Sequence, residues 1–192
     1  FLSFKDAGGS LTLISGQSLN PYDASWGGPS STHAVGKSIA YDPATARLWI
    51  AGAIKQAIGG TFKGLLVEVD LNGVVFGQWR YTNNPLSFEY FNAIKISGTG
   101  AKLITGEAMG SPASPNQQML VAHLQPGNDW MRTFLTPGSD GTGFDLIERK
   151  SPFTGVVSVF AAGLVNPGLT GNGDMLLYKI NPAVPGLPIL AY

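Results

Sequence analysis

Three stretches of the chain resemble one another, and this internal similarity constrains the fold more than any other feature of the sequence. Each stretch has a short apolar strand, a turn, a second strand that ends in a small residue and a glycine, a polar loop, and a hairpin of two further strands. The glycine of the second strand is Gly52, Gly106 or Gly163. Successive copies of this glycine are about 55 residues apart, slightly more than the usual length of a four-stranded repeat unit. The spacing predicts three four-stranded units, at residues 34–81, 92–135 and 144–192.

Turn signals and apolar alternation divide each unit into strands. The Asn72-Gly73 pair lies between two apolar runs, and such a pair is the strongest short signal for a β-hairpin. No segment longer than about ten residues carries the 3.6-residue period of an amphipathic helix. We therefore expect an all-β chain with essentially no helix.

Residues 1–20 resemble the final hairpin of a unit. The chain then reads as a single domain, 1–192, of three four-stranded units preceded by the outer half of a fourth, which predicts a β-propeller or a segment of one. An open arc of this kind would expose apolar sheet faces at both ends. The sequence also begins at Phe1, without an initiator methionine or a signal peptide. We therefore expect either a segment of a longer protein or a partner chain that completes the ring.

The composition limits the classes of partner. Only 12% of the residues are charged, with 12 basic and 12 acidic side chains and a net charge of zero, whereas about 25% is usual. Such a chain has little long-range attraction for nucleic acid or for an anionic membrane, and its most apolar window, 156–165, is about half the length of a membrane span. The absence of cysteine excludes disulfides and thiolate chemistry. The low charge, with many Gly, Ser, Thr and Asn residues, favours an extracellular or cell-surface location.

The order of the strand motifs resembles a known repeat family. A strand, a turn, a strand ending in Ala-Gly or Thr-Gly, a variable loop, a Leu/Val-rich strand, a glycine-containing turn and a final strand are similar to bacterial-type β-propeller repeats of the SBBP and related families. The similarity covers nearly the whole chain through degenerate positions, and the last turn differs between units: Asn72-Gly73, then Pro126-Gly127, then a proline-rich stretch. The resemblance implies a β-propeller in a secreted or cell-surface protein. It implies no reaction, because propellers host many unrelated functions.

Aromatic residues in polar segments are the candidates for binding. Tyr22 and Trp26 lie in a stretch rich in proline and glycine, and Phe88 and Tyr90 lie in the segment 86–91. Exposed aromatic side chains mark protein or sugar contacts. The alternative for each pair is that the rings fold back over a sheet.

Carboxylates in glycine-rich loops suggest a calcium site. Asp140 and Asp145 lie in one such loop and Asp174 in another, and oxygen ligands on flexible backbone suit Ca²⁺. Neither loop has the ligand spacing of the helix-flanked calcium loop, so an ordinary turn is the alternative. His33 reads as a solvated loop residue, and His123 as a strand residue that faces solvent or a sheet interface. No catalytic residue is predicted.

These observations predict a noncatalytic β-propeller module that binds protein or forms a structural part of an extracellular assembly. Its partner would be another protein or further copies of itself. The loops between the second and third strands of the units would emerge on one face and form the binding surface; they comprise residues 55–63, 110–118 and 166–174.

Two alternatives come from other classes. A carbohydrate-active propeller enzyme, a hydrolase or lyase, would place acidic residues near a central channel, and the candidates on first strands are Asp42, Asp145 and Glu148. A cytosolic interaction propeller of the WD type is the other alternative. The sequence lacks the Trp-Asp and Gly-His signatures of that type.

Overall fold

The computed structural model describes residues 2–6, 11–16, 33–55, 60–81, 88–109, 116–134, 140–166, 173–182 and 189–190. These residues form β-strands joined by turns, with no helix among them. The prediction of an all-β chain is confirmed for this part of the sequence. No helix able to cross a membrane occurs within it.

The described strands form three four-stranded antiparallel sheets and one hairpin. In every sheet the strands are hydrogen-bonded to one another in the order in which they occur along the chain. The hairpin consists of β1 (Leu2–Asp6) and β2 (Leu11–Gly16). Sheet 1 consists of β3 (His33–Asp42), β4 (Arg47–Lys55), β5 (Lys63–Val69) and β6 (Val75–Tyr81). Sheet 2 consists of β7 (Glu89–Ile96), β8 (Lys102–Met109), β9 (Gln117–Leu124) and β10 (Trp130–Phe134). Sheet 3 consists of β11 (Asp140–Lys150), β12 (Val157–Asn166), β13 (Asp174–Ile180) and β14 (Ile189–Leu190).

The turn between β5 and β6 forms at the Asn-Gly pair, as the sequence predicts. Asp70 Oδ1 accepts hydrogen bonds from the amides of Asn72 and Val74, each at 2.8 Å. Gly73 has a φ of 87°, a conformation that costs glycine little. The Val74 amide contributes most to holding the pKa of Asp70 below its ordinary value, and the amides of Asn72 and Gly73 act in the same direction.

Each first strand carries one β-bulge at the same level of its sheet. The pairing between the first and second strands skips one residue, and this bulged residue is Lys37 in β3, Asn92 in β7 and Phe144 in β11. A bulge increases the local twist and changes which face the following side chains occupy. The three sheets therefore share one irregularity at one position.

The glycine that recurs in the sequence pairs with the residue just before each bulge. There the first strand comes so close that a Cβ on Gly52, Gly106 or Gly163 would lie 1.9–2.0 Å from a backbone carbonyl oxygen. The oxygens belong to Val35, Tyr90 and Thr142, respectively. Any side chain at these positions would displace backbone. The close approach at the bulge explains why glycine recurs there.

The first strand of each later sheet packs on the sheet before it. Strand β7 contacts β3, β4 and β5, and β11 contacts β7, β8 and β9. Sheet 2 is therefore buried on both faces, and the alternating residues of its strands belong to two separate cores. Leu103, Met119 and Val121 pack with sheet 3. Ile104, Leu120 and Ala122 pack with sheet 1.

Polar contacts join the first strands near their bulges. The Ile94 amide of β7 donates to Ser38 Oγ of β3 at 3.3 Å. Asn92 Nδ2, on the bulged residue of β7, donates to the carbonyl oxygen of Gly143 in β11 at 3.1 Å. These two hydrogen bonds fix how far one sheet can slide along the next.

A pair of glycines that face each other tests the role of the bulge. We expect Gly52→Ala to lower the free energy of unfolding by about 3 kcal/mol, because the new methyl group would overlap the Val35 carbonyl. The matched control is Gly36→Ala on the partner strand, where the new Cβ would meet Ile50 at an ordinary 3.5 Å and the effect stays within about 1 kcal/mol. Urea unfolding followed by circular dichroism measures both, and equal losses would contradict the assignment.

Candidate functional site

Three half-buried rings form a cluster across the interface of sheets 1 and 2. The rings of Phe62 and Tyr90 have centroids 5.0 Å apart, and Phe88 meets Tyr90 edge-on at 5.7 Å. Lys55 Nζ lies 5.8 Å from the centroid of Phe62, within the range of a cation–π contact. We call Phe62, Phe88 and Tyr90 the aromatic cluster. Both predicted binding residues of this region are thus packed against each other and remain partly exposed.

A polar network follows the aromatic cluster across sheet 2 to sheet 3. Glu107 in β8 lies opposite Tyr90 in the ladder. Glu107 Oε2 accepts hydrogen bonds from Gln117 Nε2 and, at 2.9 Å, from Thr142 Oγ1. Gln117 Nε2 also donates to Thr142 Oγ1 at 2.6 Å. The backbone amide of Gln117 donates to Asp140 Oδ1 at 2.8 Å. We call Glu107, Gln117 and Thr142 the Glu107 network.

The surroundings of the Tyr90 phenol raise its pKa. Burial raises the pKa of Tyr90 above its ordinary value, and the negative charge of Glu107 adds to the increase. The phenol is therefore neutral at physiological pH and keeps its hydroxyl hydrogen. A neutral phenol beside a carboxylate and an amide offers a partner both donors and acceptors.

A buried ion pair lies next to the aromatic cluster in the sequence. Lys63 Nζ is 3.4 Å from Glu89 Oε2, and the Glu89 side chain is fully buried. The Glu89 amide donates to the Phe62 carbonyl at 3.0 Å, and the Met109 amide donates to the Phe88 carbonyl at 2.9 Å. Because neighbouring side chains of a strand point to opposite faces, Glu89 faces away from Phe88 and Tyr90. The pair joins β5 of sheet 1 to β7 of sheet 2.

The site lies at the edge of the sheets from which the predicted binding loops leave. Strand β4 ends at Lys55 and β5 begins at Lys63, while β8 ends at Met109 and β9 begins at Gln117. The structure therefore brings Phe88, Tyr90 and Asp140 to one edge of the sheets. From the sequence, Phe88 and Tyr90 were predicted to bind a partner and Asp140 was predicted to bind calcium. Tyr22 and Trp26 lie outside the described residues.

The three carboxylates proposed for calcium do not share one position. Asp140 and Asp145 are five residues apart on the extended strand β11, which separates them by about 15 Å and prevents both from binding one ion at 2.3–2.6 Å. Asp145 Oδ1 accepts from the Leu146 amide at 2.9 Å and lies 3.4 Å from Lys95 Nζ. Asp174 is exposed at the start of β13. Within the described ranges, no three His, Cys, Asp or Glu residues are placed to hold a metal, and calcium binding stays a prediction.

Two of the three acidic residues of the enzyme alternative share a groove, and the third does not line it. Asp145 and Glu148 line a groove between β7 and β11, where Glu148 Oε2 accepts from the Gly98 amide at 2.9 Å. Asp42 is buried and accepts from the Ala44 amide at 3.0 Å in the turn after β3.

The two histidines differ in exposure. His123 is buried at the interface with sheet 3, stacks on Trp130 with centroids 5.7 Å apart, and Nδ1 lies 3.1 Å from the Asn128 carbonyl oxygen. This confirms the sheet-interface alternative. His33 is exposed, as expected, but it begins β3 rather than lying in a loop.

Sequence reasoning missed a pocket of about 150 Å³ between sheets 1 and 2. Trp49 and Trp79 stack at its wall with centroids 5.3 Å apart, and Lys102 Nζ lies 4.3 Å from the Trp49 ring. Burial, followed by the charge of Asp129, raises the pKa of Tyr81 in the same wall to about 12. Trp49 is buried, whereas Trp79 is 38% exposed. No local signal marks this pocket, because five separate segments of the chain form it.

The sequence matches no known family model, and no curated protein matches it. The arrangement is therefore interpreted from its chemistry. Aromatic faces, a neutral phenol, a carboxylate and an amide on one edge of rigid strands suit noncovalent recognition of a partner that offers both apolar and hydrogen-bonding groups.

The raised pKa of Tyr90 predicts a pH dependence. Because the folded-state pKa exceeds that of the unfolded chain, folding favours the neutral phenol. This part of the free energy of unfolding is present below about pH 10 and is lost as the pH rises through the folded-state pKa. We expect Tyr90→Phe to lose less stability above pH 10 than the wild type, and Glu107→Gln to lower the pKa of Tyr90. Phenolate absorbance and urea unfolding measure these effects. An ordinary pKa for Tyr90 in the folded wild-type protein would contradict the prediction.

The buried ion pair predicts a double-mutant effect. Lys63→Met leaves the Glu89 carboxylate buried without this cation and is expected to lower the free energy of unfolding by about 3–5 kcal/mol. The double variant Lys63→Met/Glu89→Leu should recover most of that loss, since replacing both charges removes their desolvation cost. Urea unfolding at neutral pH measures the three proteins. A double variant no more stable than Lys63→Met alone would contradict the expected coupling.

Proposed function

We propose that the chain is an arc of a β-propeller, located outside the cell, that binds a protein partner without catalysing a reaction. The observation that carries the propeller is the side-by-side position of β3, β7 and β11, the first strands of three sheets with the same strand order. Propeller blades meet in this way, with their first strands near a shared axis. The bulge and the facing glycine at one level of every sheet support the same arrangement.

The proposed binding surface is the edge formed by the aromatic cluster and the Glu107 network. Its side chains come from three sheets, because Phe62 precedes β5, Tyr90 lies in β7 and Thr142 lies in β11. Residues held by strands of several sheets keep their positions while the loops beside them vary, which is a common basis for recognition. Packed aromatic rings lose little entropy on binding and often supply most of the energy at protein interfaces.

The carbohydrate-active alternative is less favoured by the surroundings of its acidic residues. Asp145 forms an ion pair with Lys95, with 3.4 Å between Oδ1 and Nζ. Asp42 is held in a turn by the Ala44 amide. Hydrolysis or cleavage of a polysaccharide by the purified chain would favour this alternative.

The proposal is tested by paired variants in a capture experiment. The wild-type chain, Phe88→Ala/Tyr90→Ala and the control Phe153→Ala are immobilised and exposed to secreted and cell-surface proteins of the producing organism. Phe153 is 95% exposed in the turn between β11 and β12 and lies outside the proposed surface. We expect one protein to bind the wild type and the control, and to bind the double variant about 30-fold more weakly, the effect of losing about 2 kcal/mol.

Circular dichroism checks that all three proteins are folded. Equal binding to the double variant, or no enriched protein at all, would contradict a protein-binding role for this edge.

A further inference from the structure

The pocket between sheets 1 and 2 has the size and the walls of a site for one aromatic ring. Its volume is about 150 Å³, and a cavity of about this volume holds a six-membered ring such as benzene. The stacked rings of Trp49 and Trp79 line it together with Leu66, Leu124 and residues of the turn 125–129. Trp79 and most of this turn are exposed, so a group from solvent can reach the pocket.

Equivalent positions in the three sheets follow from the register. In each sheet a leucine of the third strand pairs with the recurring glycine, and residues at equal distance from this leucine correspond. These leucines are Leu65, Leu120 and Leu176. Trp130 pairs with His123, three residues after the leucine of sheet 2, and Gly77 pairs with Glu68, three residues after the leucine of sheet 1. Trp130 in sheet 2 therefore corresponds to Gly77 in sheet 1.

The contact between sheets 2 and 3 shows what occupies this position when it carries a side chain. The indole of Trp130 is buried in the core shared with sheet 3, and its Nε1 donates to the Pro182 carbonyl oxygen at 3.2 Å. The counterpart of Pro182 is Pro126, since each follows the leucine of its sheet by six residues, and Pro126 lines the pocket. Gly77 has no side chain to place against that turn. The pocket thus lies beside the turn that receives an indole at the other contact.

The ring of Trp79 is held as a wall of the pocket. A Cβ on Gly77 would lie 2.3 Å from the Trp79 ring, so the absence of a side chain at Gly77 lets Trp79 lean along its strand. In this orientation Trp79 stacks on Trp49. A ring that is already fixed against another ring loses little freedom when a further ring packs on it.

The charged groups of the pocket suit an aromatic ring that carries a hydrogen-bond donor. Lys102 Nζ lies over the Trp49 ring and forms no ion pair within the described part of the chain, so its ammonium is available for a cation–π contact with a second ring. The charge of Asp129 acts inside the pocket, because it contributes to the raised pKa of Tyr81. Asp129 accepts from the Gln125 amide, and a carboxylate has room for further donors.

We propose that this pocket binds one tryptophan or tyrosine side chain of a protein partner. The ring of the partner packs beside Trp79 and Lys102, and its N–H or O–H donates to Asp129 or to the Pro126 carbonyl, in the way that Trp130 donates to a proline carbonyl within the chain. No residue of the aromatic cluster or of the Glu107 network lines the pocket. The pocket is therefore a second contact for a protein, separate from the edge proposed above.

Titration of the methyl-labelled chain with small probes tests the proposal. N-acetyl-tryptophanamide, N-acetyl-tyrosinamide and N-acetyl-leucinamide share their capping groups and differ only in the side chain, and methyl glucoside tests for a sugar site. The methyl signals of Leu66 and Leu124, which line the pocket, are followed by NMR, because a bound aromatic ring shifts the signals of nearby methyl groups. We expect both aromatic amides to bind with a Kd of about 1 mM and the leucine amide to bind about tenfold more weakly.

Variants assign the binding to the pocket. Trp79→Ala removes the exposed wall and should weaken binding of the aromatic amides about tenfold. Lys102→Met keeps the length of a half-buried side chain but removes the cation, and should weaken the same probes about threefold; it also tests the site if Trp79→Ala does not fold. The matched control Phe76→Ala removes another exposed ring of β6, which stacks on the Arg47 guanidinium and does not line the pocket. This control should bind as the wild type does, and circular dichroism checks the folding of each variant.

Three results would each overturn the proposal: equal binding of the leucine amide, tighter binding of the glucoside, or no shift of the Leu66 and Leu124 signals with either aromatic amide. None of them would affect the capture experiment, which reads the Phe88 and Tyr90 edge. Equal capture by Phe88→Ala/Tyr90→Ala would in turn contradict the role of that edge and leave the pocket standing. Failure of the two sites is therefore distinguishable.

Discussion

The contact on which the rest of the structure depends is the close approach of a bulged first strand to the glycine of its neighbour. It occurs at Gly52, Gly106 and Gly163, where a carbonyl oxygen occupies the place of a side chain. The bulge turns the apolar side chains that follow it toward the preceding sheet, as the burial of Ile94 and Leu146 shows. Intersheet packing therefore follows from a local backbone feature rather than from any single large side chain.

Most of the fold could be predicted from the sequence because its determinants are local. Alternation and turn residues such as Asn72-Gly73 mark strands within a few residues of themselves, and the recurring glycine marks the level at which the sheets are aligned. The bulge itself was not predicted. Its sequence signal is only the glycine on the neighbouring strand, since the bulged residues Lys37, Asn92 and Phe144 share no chemistry.

The candidate site could be predicted only in part. Phe88 and Tyr90 stood out as aromatics in a polar segment, and they do lie together at one edge. Their polar neighbours did not stand out, because Glu107 and Thr142 are 35 residues apart and in different sheets. The same holds for the Lys63–Glu89 pair, whose members face each other only after sheet 2 packs on sheet 1. Long-range pairing of this kind leaves no trace in local composition.

The hydrogen bond from Asn92 to the Gly143 carbonyl has a consequence for how such a chain can change over time. It joins a side chain of one sheet to the main chain of the next, so its acceptor is a backbone group, although residue 143 itself must stay a glycine because a Cβ there would lie 2.0 Å from Thr105 Oγ1 of sheet 2. This hydrogen bond is therefore retained when side chains of sheet 3 other than that of residue 143 change. Sequence drift in sheet 3 is then limited by the residues that pack on sheet 2, such as Leu146, and not by the acceptor of this hydrogen bond.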